Sequence, residues 1–431
     1  MTDSSINRGP ARTLDEAFSN LNPRFSLKQD SPDWKWFYVE RSNDTLKTLR
    51  RALRSVGSDP CLLYSGHTGC GKSTELERAA HDEQLNREHL VIHYSVKDEL
   101  DPVNIDFADI LISIGAKLFL AADQAGLKLK NLHLDAIREW KDTIIEKNDV
   151  VMGAMEIKVQ ADVRKLFLGF LGILKGSHEQ KETYTTKIKP KINTLIELIN
   201  KYLCLEIDAT LGKKPLVIID DLEKVSLEQA KSIFHDHGHL LASLRCHVIY
   251  TFPIALEYDL AMNSITGLFG DVIRLPNIKI QNRQGADVPE NIELMKEIVL
   301  RRMRADLIEP EALLRAIRYS GGVVRELFRI LYRACDKALN MDMPKLTEEH
   351  IQSAITKVRN DYVFSLREKH YEYLARVERT KEVEGDQAYV ELMHSMHILK
   401  YVNDDDWFQV HPMIRERVQQ RARQIIVDGI T

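Results

Sequence analysis

Over the first two thirds of the chain, short apolar runs alternate with segments whose apolar residues recur every three or four positions. Cys61–Ser65, His89–Tyr94, Leu216–Asp220, Cys246–Phe252 and the short Asp271–Leu275 are the strand-like runs. Leu216-Val217-Ile218-Ile219 is apolar without alternation, as suits a strand covered on both faces. Between the runs, Leu46, Leu49 and Leu53 mark a helix within Arg41–Val56, and an amphipathic helix is expected from Asp106 to Ala122. Strands alternating with helices predict an α/β fold built on a parallel sheet. From Leu294 the pattern turns helical: Pro310 opens one helix, Gly321-Gly322 separates two others, and Thr347-Glu348-Glu349-His350 starts another. Near the end, a helix about Gln387–Met396 precedes two strand-like segments, His397–Val402 and Trp407–His411. These flank the polar turn Asn403-Asp404-Asp405-Asp406, and Pro412 starts a last helix.

Spacing divides the chain further. The second and third strand-like runs are separated by far more than a crossover requires, so a helical insertion is expected over about 126–212. It holds a charged helix (Leu132–Lys147), the apolar run Leu166–Leu174, and a helix near Lys191–Glu206 carrying Ile192, Leu195, Leu198 and Ile199. That apolar run is half the length of a membrane span and is read as buried core, with a partner surface as the alternative. Residues 1–40 are polar, end in the aromatic group around Trp34–Tyr38, and read as an arm packed on the core. The expected units are thus the arm (1–40), an α/β core (41–280), a helical lid (281–360) and a terminal module (361–431).

Composition changes little. The 431 residues carry 60 Lys+Arg and 64 Asp+Glu, a net charge of −4, which gives no global reason to expect nucleic acid. Five scattered cysteines suggest neither a zinc site nor a disulfide framework, and the polar start lacks a signal core, so a cytoplasmic protein without a membrane span is expected.

The chemistry lies between the first strand and the helix after it. Gly66-His67-Thr68-Gly69-Cys70-Gly71-Lys72-Ser73 is a complete G-x-x-x-x-G-K-[ST] loop, with Thr74 next. Its glycines let successive backbone N–H groups face one concavity at the positive end of a helix. Lys72 is expected to reach the β- and γ-phosphates and Ser73 to bind Mg²⁺. The run Leu216–Ile219 carries Asp220 to a strand tip as a second Mg²⁺ ligand. Asp221 is expected to act on the attacking water, and Glu223 is rated below it because two residues on the side chain has left the tip. His235 and His239 stand four apart, but no third metal ligand is evident. Cys70 reads as a tolerated small residue, with oxidation sensitivity as the alternative.

Together with Thr251-Phe252-Pro253 and Ser320-Gly321-Gly322-Val323-Val324-Arg325, these motifs resemble the AAA+/STAND superfamily of P-loop ATPases. That includes its origin-recognition-like members and its signal-transducing switches. The resemblance covers about residues 37–360. It implies ATP with Mg²⁺, a γ-phosphate sensor at Thr251, a lid arginine at Arg325, and adenine contacts from Phe37-Tyr38-Val39-Glu40-Arg41. Ring-forming members place an arginine finger before the fifth strand, but Phe252–Val272 holds no Lys or Arg, and Arg245 and Arg274 match poorly. This departure and the Asp-Asp pair imply slow hydrolysis and a switch rather than a processive motor.

The terminal module resembles a winged helix, which in such families binds DNA, clamps the nucleotide domain or meets a partner. Ten basic and thirteen acidic residues fall in 361–431, with three aspartates at the turn, so protein contact or self-assembly is favoured over nucleic acid. Arg415, Arg417, Arg421 and Arg423 form the one candidate basic face there. The overall pattern also resembles poorly characterised bacterial ATPases, some of which act in defence against phage. A DNA-handling ATPase and a nucleotide-binding scaffold without turnover are the alternatives.

Overall fold

Five parallel strands form the centre of the computed structural model, which describes residues 9–41, 45–54, 61–101, 103–144, 160–175, 185–402 and 405–428. They are β1 (Cys61–Gly66), β2 (His89–Ser95), β3 (Lys214–Asp220), β4 (His247–Pro253) and β5 (Val272–Arg274), in the order β2-β3-β4-β1-β5. Parallel neighbours need crossovers, and crossover helices cover both faces, so β4 is buried throughout and β3 in all but its first residue. The period of two sorts their side chains. Val217, Ile219, Val248 and Tyr250 join the larger core with the helix Phe107–Gln124, while Leu216, Ile218 and Ile249 meet Leu49 and Leu76 on the other face. The register sets Gly66 beside Pro253 and Ile219 beside Tyr250, so the carboxyl ends of β1, β3 and β4 open at one edge.

Between β2 and β3 the helices Phe107–Gln124, Asn131–Ile144 and Gln160–Leu174 lead to a helical stretch from Ile192 to Leu211, with a wider π turn at Ile199–Cys204. Leu166, Phe167, Phe170, Leu171 and Leu174 are buried in the same cluster as Ile92 and Tyr94 of β2, so the apolar run is core. The helix expected over Leu132–Lys147 runs Asn131–Ile144, and residues 145–147 lie outside the described ones. The helix expected within Arg41–Val56 is Thr45–Leu53, with residues 42–44 and 55–56 likewise outside.

Helices Pro289–Leu300, Pro310–Tyr319, Val324–Leu339 and Glu348–Phe364 build a second core around Met295, Leu313, Leu327, Ile330 and Ile351. The amino-terminal segment joins this cluster too. Ala11, Leu14, Ala17 and Leu21 pack into this helical cluster, and Phe18 stacks on Tyr332 at 4.1 Å. Apolar positions three and four apart fit a helical ridge, and the sheet has no uncovered face to offer them. The segment also meets the α/β core: Lys28 and Gln29 bond Glu77, Asp30 pairs with His81, and Tyr38 and Glu40 reach Glu75 and Arg78.

The chain ends with helices Glu368–Thr380 and Gln387–His394, the antiparallel hairpin β6 (Ile398–Val402) and β7 (Asp406–Val410), and the helix Pro412–Asp428. Asn403 and Asp404 of the expected turn lie outside the described residues. Among the described residues no helix is long and apolar enough to cross a membrane.

Candidate active site at the strand tips

The loop after β1 wraps the amino end of the helix Lys72–Ala80. Gly69 and Gly71 hold φ of 85° and 107°, a region side chains rarely adopt. Space also blocks a side chain at Gly69, whose Cβ would lie 2.6 Å from the Arg325 Cβ, while one on Gly71 would displace the Arg41 guanidinium 2.6 Å away. The start of the helix Val324–Leu339 therefore sits directly on the loop, and the Arg325 N–H donates to the Gly69 carbonyl at 3.2 Å. Arg41 Nη2 donates to the Cys70 carbonyl at 2.5 Å, which brings this residue onto the same loop.

Lys72 is buried. Its ammonium donates to the carbonyls of Gly66 (2.8 Å) and His67 (3.1 Å) and pairs with Glu223 at 3.2 Å. Glu223 stands there because Asp221 adopts a left-handed conformation (φ 70°) and Leu222–Lys224 form a tight 3₁₀ turn. This corrects the expectation that Glu223 has left the strand tip: the turn carries it back over the loop. Its Oε2 is buried and has no hydrogen-bond partner among the described residues. Asp221 is instead engaged sideways. It accepts from the Ser95 hydroxyl at 2.6 Å, forms an ion pair with Lys224, and lies 3.9 Å from Lys97.

Thr251 is a second correction. It is fully buried and does not line the cleft: its hydroxyl accepts from the Leu222 N–H (2.9 Å) and donates to the Ile219 carbonyl (3.2 Å). Both bonds brace the Asp221–Leu222 turn, so Thr251 shapes the site without facing a phosphate. Cys70 is buried with its thiol toward the Leu275 carbonyl. His235 bonds Asp236, and His237 between the two candidate ligands stacks on Phe107.

Arg41, Gly69, Gly71, Lys72, Ser73, Thr74, Asp220, Asp221 and Arg325 line one cleft of about 340 Å³, within the range for small-molecule sites. Gly66, His67, Thr68 and Cys70 do not line it. The oxygens of Asp220, Asp221 and Glu223 lie within 4.8 Å of one another, a hard-oxygen set that suits Mg²⁺. Ser73 and Asp220 would hold that ion, and the exposed loop amides suit phosphates.

Several lining residues escaped the sequence. Lys97 and Lys224 add two cations to Lys72 and Arg325. Burial, with Arg325 and Lys97 nearby, lowers the pKa of the Lys224 ammonium. At the far end Arg302 is sandwiched between Phe37 (5.0 Å) and Phe328 (4.7 Å) and donates to the carbonyls of Phe37 and Ile298. Burial lowers its pKa to about 9. Residues of Asn20–Lys28 reach the cleft from the amino-terminal segment. None of these carries a motif; only the fold gathers them.

His67 turns its ring away from the cleft, onto the terminal hairpin. Its Nε2 accepts the Lys400 backbone N–H at 2.7 Å. Burial, with Lys72 and Lys400 adding to it, holds this ring at about 3 and therefore neutral. Beside it the buried Lys400 ammonium pairs with Glu257 (3.3 Å) and Asp406 (2.6 Å), and the Tyr401 hydroxyl donates to the Gly321 carbonyl at 2.6 Å. On the last helix Arg415 bonds Glu378, Arg417 bonds Tyr371 and Arg421 pairs with Glu368, so three of the four candidate arginines are used within the module.

No protein-family model and no curated protein matches the sequence. Solved structures do. The Aeropyrum pernix ORC2 protein in ADPNP and ADP complexes matches over 90% of this chain and 92% of its own, at 14% identity and a TM-score of 0.41. The Aeropyrum pernix ORC1 protein in complex with DNA matches over 94% and 98%, at 12% identity and a TM-score of 0.41. The Thermotoga maritima RuvB Holliday junction branch migration motor matches over 88% and 95%, at 13% identity and a TM-score of 0.34. These are distant likenesses of fold.

Proposed function

We propose that the protein is an ATP-binding and slowly hydrolysing switch whose nucleotide state sets the position of the terminal hairpin. One observation carries this reading: His67 touches Lys72 through its carbonyl and Lys400 through its ring. Phosphate oxygens entering the cleft compete for the Lys72 ammonium, which loosens its bonds to Gly66, His67 and Glu223. The loop that relaxes is the one to which the hairpin is tied.

In the hydrolytic step a water attacks the γ-phosphorus, the bond to the β–γ bridging oxygen breaks, and the proton of the water passes to Glu223. Glu223 is favoured over Asp221 as the base because its free Oε2 stands beside Lys72, while Asp221 is held by Ser95 and Lys224. A Mg²⁺ held by Ser73 and Asp220 would neutralise phosphate charge. Thr251 braces the turn, and Arg325 couples the lid to the loop.

The DNA-handling alternative meets an obstacle, because β6 is buried at Ile398–Tyr401 and docked on the loop and lid. Hydrogen exchange at the Lys400 amide tests the switch. Exchange should differ between nucleotide-free protein and protein saturated with ATP and Mg²⁺. Equal exchange despite proven ATP binding would overturn it, and duplex DNA binding with a steep salt dependence would favour the alternative.

A further inference from the structure

Phosphoryl transfer spreads negative charge over the γ-phosphate oxygens, and a positioned cation that meets this charge accelerates turnover by orders of magnitude. In many assemblies a neighbouring subunit supplies that cation. This chain offers no Lys or Arg from Phe252 to Val272, and Arg274 is held by Glu257 at 2.6 Å. The cleft itself holds a candidate.

Lys224 follows Glu223 on the turn that Thr251 braces through Leu222, so its backbone is fixed to the same strand tip as the proposed base. Its ammonium lies in the cleft, only 16% exposed, paired with Asp221. Lys97 also reaches Asp221, but from 3.9 Å and with its side chain 47% exposed. Arg325 stands on the helix Val324–Leu339, outside the α/β core, and not on the strand-tip turn. Asp221 already accepts the Ser95 hydroxyl at 2.6 Å, so it does not depend on a lysine for satisfaction. Burying the Lys224 cation beside Lys72 and Arg325 is costly without a ligand and favourable once a polyphosphate arrives.

We propose that Lys224, held in place by Asp221, meets the transition-state charge within one chain, so that hydrolysis needs no neighbouring subunit. This rests on the ATPase reading above. Asp221 is then a positioning residue and Lys224 the catalytic cation; no bond to Lys224 forms or breaks.

The test compares Lys224→Gln and Lys224→Arg with the wild type, at protein concentrations where mass measurement shows monomers. Lys224→Gln should lower kcat about 100-fold, while ADP affinity stays within about twofold. Lys224→Arg should recover most of the loss. Monomeric wild type should also trap ADP with aluminium fluoride, a mimic of the transferring phosphoryl group, which serves if the glutamine variant does not fold. A Lys224→Gln rate within about threefold of wild type would overturn the proposal. So would a wild-type specific rate that rises with protein concentration, or trapping by assembled protein only. Wild type that binds ATP and never releases phosphate would overturn the ATPase reading itself.

Discussion

Two buried lysines stand on either side of His67. Lys72 and Lys400 each have side chains 2% exposed, and each pairs with a buried glutamate: Glu223 at 3.2 Å and Glu257 at 3.3 Å. Their other partners differ. Lys72 donates to two carbonyls of a loop that lines the cleft, and a phosphate can replace them. Lys400 pairs with a second carboxylate, Asp406, and lies 5.1 Å from the Tyr258 ring centre, away from the cleft. The ion pair is the same in both places. What separates an exchangeable site from a structural staple is whether a ligand can reach the partners and improve on them.

That contrast can be broken at its carboxylates first. Glu223→Gln should lower kcat about 1000-fold in a phosphate-release assay and change stability little. Glu257→Gln should do the reverse, and Asp221→Asn should cost only about tenfold in kcat. Equal losses at Glu223 and Asp221 would move the base back to Asp221. Next come the lysines. Lys72→Met should weaken ATP about 100-fold by calorimetry. Lys400→Met should leave affinity near wild type and cost about 2 kcal/mol in denaturant unfolding, because Arg274 remains to Glu257.

The smallest effect concerns His67, the residue both lysines share. Its pKa is about 3 in the fold against an ordinary 6.5. Below 6.5 the unfolded chain takes up a proton that the folded one refuses until about 3, so stability falls as pH falls through that window. This residue contributes at most about 1.4 kcal/mol per pH unit. His67→Gln should flatten the slope of unfolding free energy between pH 6 and 4. An unchanged slope would place the acid sensitivity elsewhere, such as His411, which burial also holds at about 3.

Much of this was legible before folding. The strands could be read because a sheet covered on both faces demands unbroken apolar runs such as Leu216–Ile219. The loop could be read because its glycines and Lys72 must be contiguous to curl around a phosphate. Thr251 and Glu223 were misjudged for one reason. Linear distance from a strand tip says nothing of the left-handed turn at Asp221, which returns Glu223 to the loop and uses the Thr251 hydroxyl as a brace. The amino-terminal segment was read as an arm packed on the core, and its apolar spacing did not name the helical cluster that Ala11, Leu14, Ala17 and Leu21 also join.

The sequence alone determined the parallel α/β core, the phosphate loop and the acidic strand tip, since each depends on neighbours along the chain. Tertiary structure alone decided that Lys224 and Lys97 enter the cleft, that Arg302 lies between Phe37 and Phe328, and that Lys400 binds His67 across 333 positions. Those contacts join segments whose separation leaves no periodic trace, and they persist because burial leaves each polar group few partners to choose from.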